Sequence, residues 1–159
     1  MLKGNGVGRD LDRTDHRILC EVQKDSSRTI TEIAEAVGLS HAPCWRRIQR
    51  LRADGYILRE SATLDRHKLG WEIEVFVFLK VSPHGRANVE EARRSIMEHE
   101  QIIGYYVLMG GFDAMLHVVA RNVRDYSRFY LDHLATSPYL SEINSMTVMA
   151  QLKDSDLPV

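Results

Sequence analysis

The chain has 159 residues, 44% of them hydrophobic and 27% charged, a composition that excludes disorder and a fibrous architecture and supplies enough apolar material for a core. Such a length admits one domain of average size or two small ones, and excludes a multidomain enzyme of the usual size. The formal net charge of −1 predicts no general attraction to polyanions, yet residues 1–66 carry +2 and residues 67–159 carry −3, so a nucleic-acid contact belongs to the first part.

The opening run MLKGNGVGRD has three glycines and no apolar segment of signal-peptide type, so residues 1–10 read as a flexible arm. No later stretch approaches the ~18 uninterrupted apolar residues of a membrane span. The two cysteines, Cys20 and Cys44, fall inside helical patterns without paired spacing, which fits a reducing cytoplasm rather than a disulfide framework.

From Asp12 to Lys24 the apolar residues Ile18, Leu19 and Val22 recur at helical spacing, with Asp12 placed to cap the first turn. After the polar break at residues 25–28, Thr29 and Glu32 form a capping box ahead of Ile30, Ile33, Ala34 and Val37, and this second helix stops at Gly38. Gly38 suits a left-handed cap, Leu39 is an apolar plug and Ser40 starts the next helix. Pro43 then sits in a first helical turn, and Cys44, Ile48 and Leu51 form the inward stripe of a third helix over residues 41–53. Tyr56-Ile57-Leu58 and Ser61-Ala62-Thr63-Leu64 flank Arg59-Glu60 and read as a two-stranded wing, with a linker over residues 65–70.

The pattern changes at Trp71. Trp71, Ile73, Val75, Val77, Leu79 and Val81 alternate with Glu72, Glu74, Phe76, Phe78 and Lys80, which makes a strand with one wholly apolar face and aromatics in the middle of the other. A sheet built on it needs cover on both sides, a helix layer on one and a second subunit on the other. An amphipathic helix follows from Asn88, with Val89, Ala92, Ile96 and Met97 inward. Strands over 102–109 and 114–120 flank the Gly110-Gly111 turn, a helix carries Tyr126, Phe129, Tyr130, His133 and Leu134 on one face, and a last strand spans 143–152. The order βαββαβ matches a ferredoxin-like sandwich.

Two short helices joined by Gly38-Leu39-Ser40 have helix-turn-helix spacing, whose second helix enters a DNA major groove. With Cys44, Ile48 and Leu51 inward, steps of about 100° put Arg46, Gln49, Arg50 and Ala53 on the opposite face and Trp45, Arg47 and Arg52 on its flanks. Arginine can donate two bonds to guanine, glutamine can bracket adenine, and flanking arginines suit phosphates. Ser40, His41 and Ala42, at the helix start, point into the groove first.

The run Leu11-Asp12-Arg13-Thr14-Asp15, the turn Val37-Gly38-Leu39-Ser40, Pro43-Cys44, Arg47, Leu51, Gly55 and the later Gly110-x-Phe112-Asp113 together resemble the leucine-responsive regulatory protein (Lrp/AsnC) family of prokaryotic transcription factors, over residues 10 to 155. The resemblance implies an N-terminal domain on double-stranded DNA and an α/β domain that senses a small molecule, commonly an amino acid. It also implies homodimers made by sheet-to-sheet contact and, often, octamers of four dimers. The effector site it implies is the turn between the second and third strands, here Gly110, Gly111, Phe112 and Asp113. An acidic residue commonly follows the first glycine in that family, and this chain has Gly111 there.

Two other classes compete for the same residues. Ferredoxin-like sheets host enzymes, but the chain has no G-x-S-x-G elbow, phosphate loop or H-E-x-x-H. His41 and Cys44 offer half of a metal spacing, with Cys44 on the buried stripe. No catalytic residue, metal or cofactor is therefore expected. An effector-independent or assembly protein of the same fold remains the alternative; loss of DNA binding would erode the basic face, where Arg46 and Arg50 stand. The expected organisation is α+β: arm 1–10, winged helix-turn-helix 11–64, linker 65–70, α/β sensing and oligomerisation domain 71–152, and tail 153–159.

Overall fold

The computed structural model describes residues 11–155 and 157–159, so the expected arm 1–10 lies outside the described residues. The chain divides into two compact units, one running to Thr63 and also holding residues from Lys153 onward, the other spanning Leu64–Leu152.

The first unit is built on three helices, α1 Arg13–Lys24, α2 Ile30–Val37 and α3 His41–Ala53. Asp12 caps α1 in a reciprocal box with Asp15, and Thr29 does the same for α2 with Glu32, so each box satisfies donors that a helix start leaves open. Gly38 takes the left-handed conformation at φ 72°, and the Leu39 N–H donates to the Ala34 carbonyl at 2.8 Å, which closes α2 and turns the chain sharply into α3. Ser40 occupies the cap of α3 without a side-chain cap bond. Ile18, Ile33, Ala34, Val37, Cys44, Ile48 and Leu51 form the core, and burial pushes the Cys44 thiol pKa up, as expected for a packing cysteine.

The expected wing hairpin is absent. Tyr56 and Ile57 pack on the core, but residues 58–64 form no strand ladder, and Leu58 and Leu64 are exposed. Two runs of three or four residues with no layer to cover them cannot sustain a ladder on their own. Residues from Lys153 onward belong to this unit, where Gln23 Nε2 donates to the Leu157 carbonyl at 2.8 Å.

The second unit is a four-stranded antiparallel sheet in the order β2-β3-β1-β4, from β1 Ile73–Val81, β2 Ile102–Val107, β3 Ala114–Ala120 and β4 Leu140–Thr147. The central position of β1 explains its apolar run on both faces. Val75, Val77, Leu79, Leu116 and Val118 turn to one side, where they bury against Ile96 of α5 Val89–Met97 and against Phe129 and Leu134. Phe129 ends α6 Val123–Phe129, and a π-type turn over Tyr130–Leu134 follows, closed by the Ala135 N–H on the Tyr130 carbonyl. The wider turn brings two residues five apart onto the same face of the sheet.

Several boundaries moved. Residues 65–70, which follow the division between the two units, fold into a compact turn: the Asp65 carboxylate accepts from the N–H of His67 and Lys68, and the Trp71 N–H donates to the Arg66 carbonyl. Trp71 precedes the strand, with the Arg121 guanidinium 5.2 Å over its ring. A short helix α4 Pro83–Ala87 was not anticipated, and Met97 is exposed where the helical pattern turned it inward. The second strand ends at Val107, before Leu108 and Met109. The last strand starts earlier than expected because it pairs along β1, Leu140 opposite Val81 and Thr147 opposite Val75. Beyond Thr147 little of β1 is left to pair with, so the apolar Met149 and Leu152 stand exposed.

Candidate nucleic-acid interface and ligand turn

The exposed side of α3 is smaller in charge than the sequence implies. Among the described residues Arg46 is exposed and has no ionic partner, and Gln49 is half-buried with no side-chain hydrogen bond. Ser40, His41, Ala42, Trp45 and Ala53 are exposed around them. This surface has the shape of a groove-entering helix, with small residues at its N-terminal turn and one guanidinium and one amide on its outward face.

Arg47 and Arg50 are placed differently. Arg47 Nη1 donates to Asp12 Oδ2 at 2.6 Å and to Asp15 Oδ1 at 2.8 Å, and Arg50 Nη2 donates to Asp15 Oδ2 at 2.5 Å. Arg50, which the helical steps set on the base-facing side, is thus drawn toward α1 by a buried carboxylate. The Asp15 N–H and the Arg47 guanidinium hold the Asp12 carboxyl below the usual range, and Asp12 with Asp15 raises the Arg47 pKa. On the other flank Arg52 pairs with Glu60 at 2.5 Å. In the sequence Asp12 reads as a cap and Asp15 only as part of the family-like run; the signal for their pairing is the Asp12-x-x-Asp15 spacing, matched by Arg47 and Arg50 three residues apart.

In the second unit the turn from β2 to β3 is tied by its last residue. The Asp113 N–H donates to the Leu79 carbonyl at 2.9 Å, and Asp113 Oδ2 accepts the Val81 N–H at 2.8 Å. Asp113 Oδ1 is 3.5 Å from Arg86 Nη2. Phe112 lies against Phe78, ring centroids 5.5 Å apart. At Gly110 and Gly111 an added Cβ would meet nothing within 4 Å, and their N–H groups and that of Phe112 have no acceptor among the described residues. Three free N–H groups in an open turn can receive an anion such as a carboxylate.

On the face of the sheet away from the helices, Phe76 lies 4.9 Å from His117 and opposite Met146, and Phe78 opposite Met115. Glu74 bridges His117 Nε2 at 2.5 Å and Arg66 at 3.0 Å at one end of this face. The half-buried aromatics and the exposed Met146 and Tyr106 form an apolar patch of the kind that another surface covers.

Residues 11–57 match the winged helix-turn-helix DNA-binding family, and residues 74–158 match the Lrp/AsnC ligand binding domain. The chain is 30% identical over 150 residues to the DNA-binding transcriptional activator DecR of Escherichia coli strain K12, covering 94% of this chain and 99% of that one. An AsnC family transcriptional regulator from Agrobacterium tumefaciens is similar in structure, with a TM-score of 0.85 at 33% identity over 93% of this chain and 97% of that one. A transcriptional regulator from Neisseria meningitidis, solved as a complex with L-Met, superposes with a TM-score of 0.88 at 26% identity over 94% of this chain and 97% of that one.

Proposed function

Because this chain belongs to the Lrp/AsnC family of DNA-binding transcriptional regulators, we propose that α3 reads DNA through Arg46 and Gln49 and that the turn Gly110–Asp113 takes part in binding an amino-acid effector. The observation that carries the DNA half is the freedom of Arg46 and Gln49 on the outward face of a helix whose other arginines are paired. Ser40, His41, Ala42 and Trp45 lie at the same end and meet the groove wall and backbone. Arg47 and Arg50 serve the phosphates.

The effector half rests on the free N–H groups of the turn and on the L-Met found with the Neisseria meningitidis relative. They suit the carboxylate end of an amino acid. Asp113 already accepts a backbone N–H, so it fixes the turn more than it offers a counter-charge to an ammonium. Gly111 supplies no acidic side chain, so selectivity comes from groups outside the turn. The patch around Phe76, Phe78 and Met146 is the surface of a homodimer, which sets two recognition helices on two half-sites, and further contacts build octamers.

The reading is tested by measuring affinity for a duplex selected from a random-sequence library by the wild-type protein. Arg46→Ala is expected to weaken that binding by about 1–3 kcal/mol and to relax the choice at one base pair. An unchanged affinity and an unchanged base preference would remove Arg46 from the interface.

A further inference from the structure

Asp15 has an unusual position for a carboxylate: its side chain is 1% exposed, and it is the only buried charged residue among the described residues whose burial is given. Burying an ionised carboxyl is costly unless its oxygens are well bonded. Both are. Asp15 Oδ2 accepts the Asp12 N–H at 3.2 Å and Arg50 Nη2, and Oδ1 accepts Arg47 Nη1. The box that caps α1 is therefore also the anchor of two side chains from α3.

The two arginines are anchored but not consumed. Their side chains remain 31% and 39% exposed. Each guanidinium has five donors in a planar fork, and only Nη1 of Arg47 and Nη2 of Arg50 are engaged among the described residues. Going around α3 from the buried stripe in helical steps, Arg47 comes at about 60°, Arg50 at about 120° and Arg46 close to 180°. The remaining donors of Arg47 and Arg50 thus border the face that carries Arg46. A guanidinium clamped by one edge with its other edge in solvent holds an oxyanion in a fixed place, whereas a free arginine samples many.

We propose that Asp15 is a positioning residue for DNA binding, holding Arg47 and Arg50 as a preset pair of phosphate clamps that fixes how α3 sits in the groove. The assignment rests on the DNA-binding role of α3. Charge gives it a signature. Arg47 and Arg50 with Asp12 and Asp15 sum to zero, so the cluster adds little to general attraction for polyanions and acts through placement, that is, through discrimination between sequences.

The test uses the full chain with the selected duplex described above and a scrambled duplex of equal composition, at a temperature where circular dichroism shows each variant folded. Asp15→Asn leaves the cluster with one net positive charge, takes from Arg50 its carboxylate partner and leaves Arg47 held by Asp12 alone. It is expected to bind the scrambled duplex more tightly, with a salt slope steeper by up to about one, and to lose about tenfold in preference for the selected duplex. A merely structural role would weaken both duplexes alike and leave the preference intact, and that result overturns the proposal. Where Asp15→Asn fails to fold, Arg50→Lys keeps the charge but loses the fork. It is expected to lower the preference by about tenfold while the salt slope stays in place, and an unchanged preference overturns the proposal. A wild-type chain that enriches no sequence from the random library removes the DNA role of α3 itself, an outcome distinct from binding with unaltered preference in the variants.

Discussion

Asp113 shows how one side chain decides between two uses of a turn. A carboxylate next to a glycine pair can meet a ligand ammonium or tie the turn to its neighbours, and here Oδ2 takes the N–H of Val81 while the backbone N–H reaches Leu79. Asp113→Ala leaves the Val81 N–H without its acceptor, in a half-buried site. A loss of about 1 kcal/mol is expected, seen as a lower melting temperature of the second unit, and an unchanged temperature would show water replacing the carboxylate at no cost. The same distinction governs the arginines of α3. That residues 46–52 carry four arginines is plain from the sequence; that three of them have carboxylate partners is not. The partners Asp12, Asp15 and Glu60 stand on other segments.

At the scale of elements, caps and periodicity were legible. Both capping-box starts and the αL stop at Gly38 lie where short-range chemistry puts them, because every atom involved is within five residues of the others. Strand ends were less so, since β4 is aligned by the partner available on β1 and not by its own apolar pattern. One contact between elements has a pH consequence. His99, after α5, lies with its ring 4.0 Å from that of His133 in the π-type turn and edge-on to Phe129 at 5.5 Å. Burial first, and the neighbouring His133 second, push the His99 pKa below its ordinary 6.5. The unfolded chain therefore takes the proton before the folded one does. Its contribution to stability is complete above about pH 6.5 and declines as pH falls toward the folded-state value. Urea unfolding at pH 7.5, 6.5 and 5.5 is expected to show that decline, and His99→Gln a shallower one; equal slopes for both proteins would assign the pH dependence to other groups.

In the whole molecule, the two units divide the work of a regulator: one carries the helix-turn-helix, the other the open turn and the apolar sheet face. Met146 is exposed on that face opposite Phe76, on an edge strand, where a charge does little to the fold of one chain. With the proposed homodimer built on this face, Met146→Lys is expected to shift sedimentation from dimer toward monomer and, with it, to weaken binding to a two-half-site duplex far more than to a single half-site. A variant that sediments like the wild type would place the subunit contact elsewhere. A thermal-shift panel with the twenty amino acids is expected to raise the melting temperature for a subset of them if the turn at Gly110 holds a carboxylate.

Short-range patterning specifies the helix-turn-helix, the βαββαβ order, the buried stripe of α3 and the two-sided character of β1. These follow from caps, glycine turns and periodicities of 3.6 and 2, which act between residues a few positions apart. Which arginines are free, how β4 is aligned, that residues 58–64 form no hairpin and that Asp113 faces the end of β1 are settled only by long-range packing. Each of those depends on groups brought together from distant parts of the chain, and for a charge or an unpaired strand the energy lies in the partner it finds.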